Sequence, residues 1–373
     1  MKTLGGNLVG SLSRGVAFGL GLWLWSGAGL SSARAVLFWA TGDTNYNTTA
    51  PTGALADSGW QYEGFWGGYS GTAIAPHYFL SARHIGGAVG QLFFFGGGSY
   101  TTTAYFDDPG SDLRVWRVCE ALPVAAPLYS GSDESGKGLV VIGRGTQRGD
   151  PVIVSGVFGT AQKGWFWGPY DGVQRWGQNT VSGIVPANLP LNGPLLAAAF
   201  NGNNASNEAT FSLGDSGGAV YLQDGSTWKL AGINYGVDGP FNTNTVGAGF
   251  MAAIYDEGGL YVQDANQNWT PVPEEAFAAQ PANFYATRVS ERLSWINSVI
   301  SVAPAAEPLP TLQAAPAPTG PFADVVNATY DPSHRQITVP LGEAAQFYRV
   351  RGCSQSRVSG ITVTASAVVL TYQ

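Results

Sequence analysis

Short apolar runs bounded by glycine or proline recur from about residue 36 to residue 302. Residues 71–75, 139–142 and 151–154 are examples, and each run is only four or five positions long. Runs of this length between turn-forming residues are typical of β-strands. The pattern therefore predicts an all-β region built from many short strands.

One segment near the end of this region has a helical period instead. Its apolar positions recur every three or four residues, at Val289, Leu293, Ile296 and Ile300. This spacing places them on one face of a helix. We therefore predict a helix that closes the region, with Ser290 as its N-cap.

The chain changes character after residue 302. Residues 303–321 contain six prolines among alanines, a composition typical of an extended linker. Residues 322–373 then contain strand-like runs, such as 336–339 and 367–372, and no cluster of ionisable groups that indicates chemistry. We interpret them as a small β module, which the linker separates from a larger domain at residues 36–302.

The composition agrees with an all-β protein and argues against other classes. Of the 373 residues, 45% are hydrophobic and 12% are charged, whereas disordered chains are poor in apolar residues and rich in charge. The 52 glycines are too frequent for a coiled coil. The formal net charge is −7 and no stripe of lysine or arginine is present, so nucleic acid is not expected as a partner.

The first 35 residues have the layout of an export signal. Lys2 and Arg14 form a basic start, residues 15–30 are apolar and uncharged, and the sequence Ala-Arg-Ala at 33–35 fits a small-x-small cleavage site. An uncleaved membrane anchor is the alternative, because residues 15–33 carry no charge. We predict removal of residues 1–35, and therefore a secreted or periplasmic protein without stable membrane insertion.

Two cysteines, Cys119 and Cys353, lie far apart in the sequence. Two cysteines and three histidines do not match a disulfide scaffold or a structural zinc site of the usual spacing. Whether Cys119 and Cys353 pair is left open, although an oxidising compartment would permit it.

The sharpest local signal is the sequence Gly-Asp-Ser-Gly-Gly at residues 214–218. A serine between glycines can lie exposed on a tight turn, where a substrate carbonyl can approach the backbone. Because a serine hydroxyl is a weak nucleophile, it needs a base and a third group that orients the base. An ordinary turn is the alternative reading of these five residues.

A base is available in His84, which ends the apolar run 79–84 and is expected at the end of a strand. His77 follows Pro76 in a predicted turn, and His334 lies in the small module, so both are expected to be solvated. We therefore select His84 as the candidate base.

An acid is available in Asp112, which precedes the alternating run 113–118 and can enter a strand with its carboxylate turned inward. Asp107 and Asp108 lie beside Pro109 and Gly110 and are expected to be solvated turn residues. The order His, Asp, Ser is informative, because different triad folds place these residues in different orders.

These blocks resemble the chymotrypsin/trypsin-like serine proteases, the peptidase S1 family. Residues 81–84 resemble the family's Thr-Ala-Ala-His, residues 112–118 resemble Asp-Ile-Ala-Leu-Leu-Arg-Leu, and residues 214–218 are identical to the nucleophile block. Residues 285–289, followed by Trp-Ile at 295–296, resemble the closing Tyr-Thr-Arg-Val and helix. The resemblance covers roughly residues 60–300.

The resemblance implies two antiparallel β-barrels, a polypeptide substrate, and no metal or organic cofactor. It implies that Ser216 is the nucleophile and that His84 acts first as general base and then as acid. Asp112 would orient the imidazole, and the N–H groups of Gly214 and Ser216 would form the oxyanion hole. The chain is thus expected to be an exported serine endopeptidase that forms an acyl-enzyme.

Several positions depart from the family pattern. Ile85 stands where the family usually has a cysteine, and Arg83 replaces a small residue beside His84. The usual Ile-Val-Gly-Gly activation terminus is missing, although in the family its amine pairs with the aspartate that matches Asp215. A buried Asp215 therefore needs another partner, and signal cleavage would leave Val36 as a poor match to that terminus.

The resemblance also implies the position of the specificity pocket. Thr210 stands where an aspartate would select Lys or Arg, so we predict an uncharged, apolar side chain on the acyl side of the cleaved bond (P1). The implied pocket residues are Thr210, Phe211, Asn234, Tyr235 and Gly236. The histidine of glutamate-specific relatives is absent at Ile233, and a nearby Asp238 adds a charge of unassigned position.

Two further points follow from the sequence. The aromatic patches at 93–95 and 165–167 are expected in the core, with a peptide or carbohydrate platform as the alternative. The alternative function is a catalytically inactive binding or adhesion protein on a protease fold, which would follow if Asp215 were unsatisfied and the oxyanion hole unformed.

Overall fold

The structure is a computed structural model that describes residues 36–186, 193–203, 205–264, 266–302, 310–342, 346–352 and 358–372. The predicted signal segment, residues 1–35, lies outside the described residues. Cys119 takes part in a disulfide bond, and the candidate partner Cys353 also lies outside them. Within these ranges, no helix is long and apolar enough to cross a membrane.

The first half of the large domain is a closed barrel of six antiparallel strands, in the order β2-β3-β4-β7-β6-β5. Its interior is aromatic: Phe79 and Phe93 stack at 4.0 Å between ring centroids, and Trp116 is fully buried beside them. The strands up to this point are β1 (Leu37–Phe38), β2 (Glu63–Trp66), β3 (Tyr69–Ala75), β4 (Tyr78–Ala82), β5 (Leu92–Phe95), β6 (Gly98–Asp107) and β7 (Leu113–Val118).

The second half is a seven-stranded antiparallel sheet, a half-barrel in the order β11-β8-β15-β16-β21-β13-β12. Two three-stranded sheets, β18-β10-β9 and β17-β19-β20, extend from it, and β14 pairs with β1. The strands of this half are β8 (Gly138–Gly143), β9 (Thr146–Gly156), β10 (Gly159–Tyr170), β11 (Arg175–Thr180), β12 (Gly183–Val185), β13 (Leu195–Ala199), β14 (Ala209–Thr210), β15 (Ala219–Asp224), β16 (Thr227–Val237), β17 (Phe241–Asn242), β18 (Ala252–Ile254), β19 (Tyr261–Gln263), β20 (Trp269–Pro271) and β21 (Asn283–Arg288).

A shared apolar core joins the two halves. Leu80 and Val115 of the barrel and Ile142 and Ile233 of the half-barrel belong to one buried cluster. Burial of these apolar side chains stabilises the contact between the two halves. The predicted fold class is therefore confirmed: the large domain is all-β, with one closed barrel, one half-barrel and a C-terminal helix, as in the chymotrypsin-like fold.

The predicted closing helix is present but begins later than the sequence indicates. A 3₁₀ turn at Ser290–Arg292 precedes α1 (Leu293–Ile300), and Ile296 of this helix is fully buried in the shared core. The predicted N-cap at Ser290 is wrong, because Arg292 occupies the cap position. The Ser290 hydroxyl instead donates to the buried Glu134 carboxylate at 2.6 Å.

The C-terminal module contains two small sheets, β23-β22-β26 and β24-β25-β28-β27, around its own apolar cluster. Thr311–Ala315 lies inside the segment predicted as linker, yet it forms a strand because Leu312 is fully buried in that cluster. The strands are β22 (Thr311–Ala315), β23 (Ala323–Asp324), β24 (Thr329–Asp331), β25 (Gln336–Pro340), β26 (Phe347–Arg351), β27 (Val358–Val363) and β28 (Ala367–Tyr372).

Candidate active site

His84 and Asp112 meet at one end of the first barrel. Strands β4 and β7 are antiparallel neighbours with Ala82 opposite Leu113, so the residues just beyond this pair face each other. The Arg83 N–H donates to the Asp112 carbonyl at 2.6 Å, and the His84 N–H donates to Asp112 Oδ1 at 3.0 Å. The register of two strands therefore fixes both functional side chains.

The His84 ring lies between a carboxylate and a hydroxyl. Its Nδ1 is 2.5 Å from Asp112 Oδ2, and its Nε2 is 2.8 Å from Ser216 Oγ. Asp112 is buried, and the His84 and Tyr235 rings are perpendicular to each other with 5.8 Å between their centroids. This order of atoms allows an imidazole to accept a serine proton while a carboxylate holds its tautomer and orientation.

Ser216 lies on the loop between β14 and β15, where glycines permit a tight turn. Gly214 and Gly217 have φ values of +98° and +76°, which side chains with a β-carbon rarely adopt. The Gly217 N–H donates to the Asn234 carbonyl at 3.1 Å. The Asn234 side-chain amide donates to the Asp215 carbonyl at 3.0 Å, so the loop is anchored on both sides of Ser216.

Two backbone N–H groups on this loop are free to bind a negatively charged oxygen. Within the described ranges, neither the Gly214 N–H nor the Ser216 N–H has a hydrogen-bond acceptor. Free backbone donors beside a serine hydroxyl are the arrangement that stabilisation of an oxyanion requires. These are the two groups that the sequence predicts for that role.

The Asp215 carboxylate is fully buried beside this loop and is surrounded by uncharged donors. Oδ1 accepts the Gly145 N–H at 2.8 Å, and Oδ2 accepts the Ser212 N–H at 2.7 Å and the Ser212 hydroxyl at 3.0 Å. The Val36 N–H also donates to the carboxylate. Burial raises the pKa of Asp215 to about 6, although these hydrogen bonds act to lower it.

A pocket of about 210 Å³ opens beside Ser216. Of the predicted pocket residues, Phe211, Asn234, Tyr235 and Gly236 line it, whereas Thr210 does not. Thr210 is buried in β14 opposite Leu37. The remaining lining residues are Trp167, Ser212, Leu213, Ser216, Val237, Gly239, Pro240 and Met251.

The sequence does not predict the far wall of this pocket, which Trp167 and Met251 form. Trp167 follows the segment of β10 that pairs with β18, and Met251 directly precedes β18. This pairing brings together residues that are more than eighty positions apart. The aromatic patch at 165–167 was the only signal in the sequence, and it favoured the core.

The charge of Asp238 is held away from the pocket. Asp238 Oδ2 accepts the Asn283 N–H at 2.7 Å, and Oδ1 accepts the Tyr285 hydroxyl at 2.7 Å. Burial and this carboxylate raise the pKa of Tyr285. No Asp, Glu, Lys, Arg or His is among the residues that line the pocket, so its described walls are uncharged.

The other histidines lie away from Ser216. His77 stands in the turn between β3 and β4. His334 is exposed in the module, where its Nδ1 is 2.7 Å from Asp331.

The other candidate aspartates form ion pairs. Asp107 pairs with Arg114 at 2.6 Å. Asp108, predicted to be solvated, is buried and pairs with Arg292, because an apolar environment requires a partner for its charge.

No cluster of three or more His, Cys, Asp or Glu residues that could hold a metal occurs in the described part of the chain.

No family model and no curated protein matches this sequence. Among solved structures, the chain is similar to neuropsin, a serine protease expressed in the limbic system of mouse brain, at 12% identity and a TM-score of 0.39. That match covers 65% of this chain and 96% of the neuropsin chain.

Proposed function

We propose that the protein is an exported serine endopeptidase of the peptidase S1 type. The observation that carries the proposal is the continuous contact from Asp112 through His84 to Ser216, next to two backbone N–H groups that have no acceptor among the described residues. Acyl transfer requires these groups: a buried carboxylate, an imidazole, a hydroxyl and a pair of backbone N–H donors.

The distances support the following sequence of steps. Ser216 Oγ attacks the substrate carbonyl while His84 Nε2 accepts its proton, and the carbonyl oxygen takes negative charge near the N–H groups of Gly214 and Ser216. His84 then gives the proton to the leaving amine, and an ester to Ser216 remains. Water, activated by His84, attacks this ester and releases the acid. Asp112 stabilises the imidazolium in both halves of the reaction.

The pocket supports a preference for apolar P1 side chains. Its walls include Trp167, Phe211, Val237, Pro240 and Met251. A charged P1 side chain would lose its hydration there without gaining a counter-charge, which is costly. We therefore propose cleavage after apolar residues, with large side chains filling the space of about 210 Å³.

The contact between Val36 and Asp215 supports the predicted signal cleavage as the step that forms the mature terminus. The Val36 N–H already lies against the Asp215 carboxylate, and Val36 is buried. Removal of residues 1–35 would place a positively charged amine at this point, which would lower the cost of burying Asp215. Activation would then need no cleavage beyond removal of the signal.

The test is covalent labelling with a serine-directed fluorophosphonate, followed by assay on casein. We expect the wild-type chain to label and cleave, and Ser216→Ala to lose both while it keeps its melting temperature. Ser298→Ala is a matched control, because its hydroxyl lies exposed on α1 and donates only to a neighbouring helix carbonyl. A folded wild-type chain that neither labels nor cleaves would refute the proposal and favour the inactive binding protein.

A further inference from the structure

The buried charge of Asp215 is held without a lysine or arginine. Within the described residues, its carboxylate forms no ion pair, and its donors are the N–H groups of Gly145, Ser212 and Val36 and the hydroxyl of Ser212. A fully buried carboxylate is expensive unless hydrogen bonds replace its hydration. Ser212 alone supplies two of these hydrogen bonds, both to Oδ2.

Ser212 also connects Asp215 to the long hairpin of β9 and β10. Its Oγ accepts the N–H of Thr146, the first residue of β9, at 2.6 Å while it donates to Asp215 at 3.0 Å. The same hydroxyl is thus both acceptor and donor, and turning its O–H to the Thr146 carbonyl at 3.5 Å would give up the shorter hydrogen bond to Asp215. The hairpin, the carboxylate and the nucleophile loop meet at this one atom.

The space around this contact is closed by backbone. A β-carbon at Gly145 would overlap Ser212 Oγ and Asp215 Oδ2, and one at Gly143 would overlap Asp215 Oδ1. The end of β8 therefore lies directly against the carboxylate. Close backbone and the hydrogen bonds of Gly145 and Ser212 together fix the position of the Asp215 carboxylate.

We propose that Ser212 is a positioning residue that keeps the N–H groups of Gly214 and Ser216 in the geometry needed to bind the oxyanion. Asp215 lies between these two groups in the chain, so a shift of its side chain moves both donors. Ser212 acts through Asp215 and does not touch the reacting atoms. The inference rests on the proposed peptidase activity, and it gives a neutral hydroxyl a share in holding Asp215 beside the Val36 amine that removal of the signal would create.

The test compares Ser212→Ala with wild type in the full chain. The substitution leaves the Thr146 N–H unpaired and removes one of the hydrogen bonds to Asp215. We expect kcat to fall by about 10- to 100-fold while KM changes little, because loss of an oxyanion donor costs about 10²- to 10³-fold and here the donors are only displaced. The rate of fluorophosphonate labelling should fall by a similar factor.

Two further variants separate positioning from general loss of stability. Ser290→Ala removes a hydroxyl that also donates to a fully buried carboxylate, that of Glu134, and it lies outside the active site. It should lower the melting temperature but leave kcat unchanged. Ser212→Cys keeps the shape of the side chain but replaces the hydroxyl with a larger sulfur that is a weaker donor, and it should lower kcat in the same direction as Ser212→Ala.

A folded Ser212→Ala or Ser212→Cys chain with wild-type kcat and labelling rate would overturn this inference and leave the peptidase proposal standing. An inert wild-type chain would instead refute the peptidase proposal itself.

Discussion

The two halves of the large domain are both built from antiparallel strands, but one is a closed barrel and the other is an open sheet. The first is a closed six-stranded barrel with an aromatic interior, and its strands follow one another through short connections. The second is an open seven-stranded sheet whose connections contain a long hairpin and additional short strands. The closed half presents His84 and Asp112, whereas the open half presents Ser216 and the walls of the pocket.

In the proposed mechanism, this difference separates proton transfer from side-chain recognition. The register between β4 and β7 fixes the contact between His84 and Asp112, and a closed barrel leaves that register little freedom. The pocket instead depends on the pairing of β10 with β18, both of which lie outside the seven-stranded sheet. Changes to the first half should therefore alter turnover, and changes to the additions of the second half should alter substrate choice.

The largest effect is expected for Asp112→Asn. The amide cannot hold the same imidazole tautomer or stabilise its charged form, so turnover should fall by about 10⁴-fold, the size of effect known for this change in chymotrypsin-type enzymes. The P1 preference should stay as in wild type. Asp107→Asn is the matched control, since that carboxylate pairs with Arg114 in the same barrel. A pH-independent loss of less than tenfold would contradict the assigned role.

The second-largest effect is expected for Met251→Ala, which changes the pocket in the second half of the domain. Removing this side chain deepens the far wall of the pocket, and relative kcat/KM should shift toward larger aromatic P1 residues by about tenfold. Profiling on a mixed peptide library measures the shift. Val246→Ala, at an exposed position before β18, should leave the profile unchanged. An unaltered profile for Met251→Ala would remove Met251 from the specificity wall.

The sequence predicts these two parts of the site to different extents for a physical reason. His84, Asp112 and Ser216 each lie in a short block whose local conformation the neighbouring residues determine, such as the glycines around Ser216. Trp167 and Met251 come together only through a long-range strand pair, and nothing in either segment encodes the other. The spacing from Ser216 predicts Thr210 in the pocket, but its pairing with Leu37 places it in β14.

In the fold, too, the sequence predicts local features better than those that depend on distant residues. The apolar runs predicted strands correctly because alternation is local, and the helical period predicted α1. The start of α1 differs from the prediction because the Ser290 hydroxyl is turned toward Glu134, more than 150 residues earlier in the chain, and does not accept a helix N–H as an N-cap would. The composition predicts a linker at Thr311–Ala315 because prolines stand on both sides, whereas the burial of Leu312, which makes it a strand, depends on the rest of the module.

A smaller effect is expected at the contact between the two halves. Glu63 of β2 accepts the Thr72 hydroxyl at 2.7 Å and the Tyr221 hydroxyl of β15 at 3.0 Å. Burial raises the pKa of Glu63 from 4.5 to about 8, although both hydroxyls act to lower it. The folded chain therefore keeps a proton that the unfolded chain loses near pH 4.5. The free energy of unfolding should fall between about pH 4.5 and pH 8, by up to a few kcal/mol.

Glu63→Gln should remove most of this pH dependence, because the amide does not titrate. Urea unfolding at pH 5 and pH 8 measures it, and Glu275→Gln, at an exposed position, is the control. Asp215, whose pKa is raised to about 6, contributes a loss of the same sign at lower pH, so some dependence should remain below pH 6. Equal slopes in wild type and Glu63→Gln would contradict a protonated Glu63 between the halves.

The smallest effect is expected for a chain that ends after Val302. Among the described residues, no hydrogen bond connects the module to residues 36–302. The Tyr78 hydroxyl donates to the Val302 carbonyl at 2.9 Å, so the shortened chain keeps the link between the barrel and the end of α1. On small substrates, kcat and KM should stay within about twofold of the full chain. Any loss of stability should match that of Cys119→Ser in the full chain, because both lack the disulfide of Cys119. Lost activity in the shortened chain, with normal activity in Cys119→Ser, would give the module a direct part in the function of the two halves.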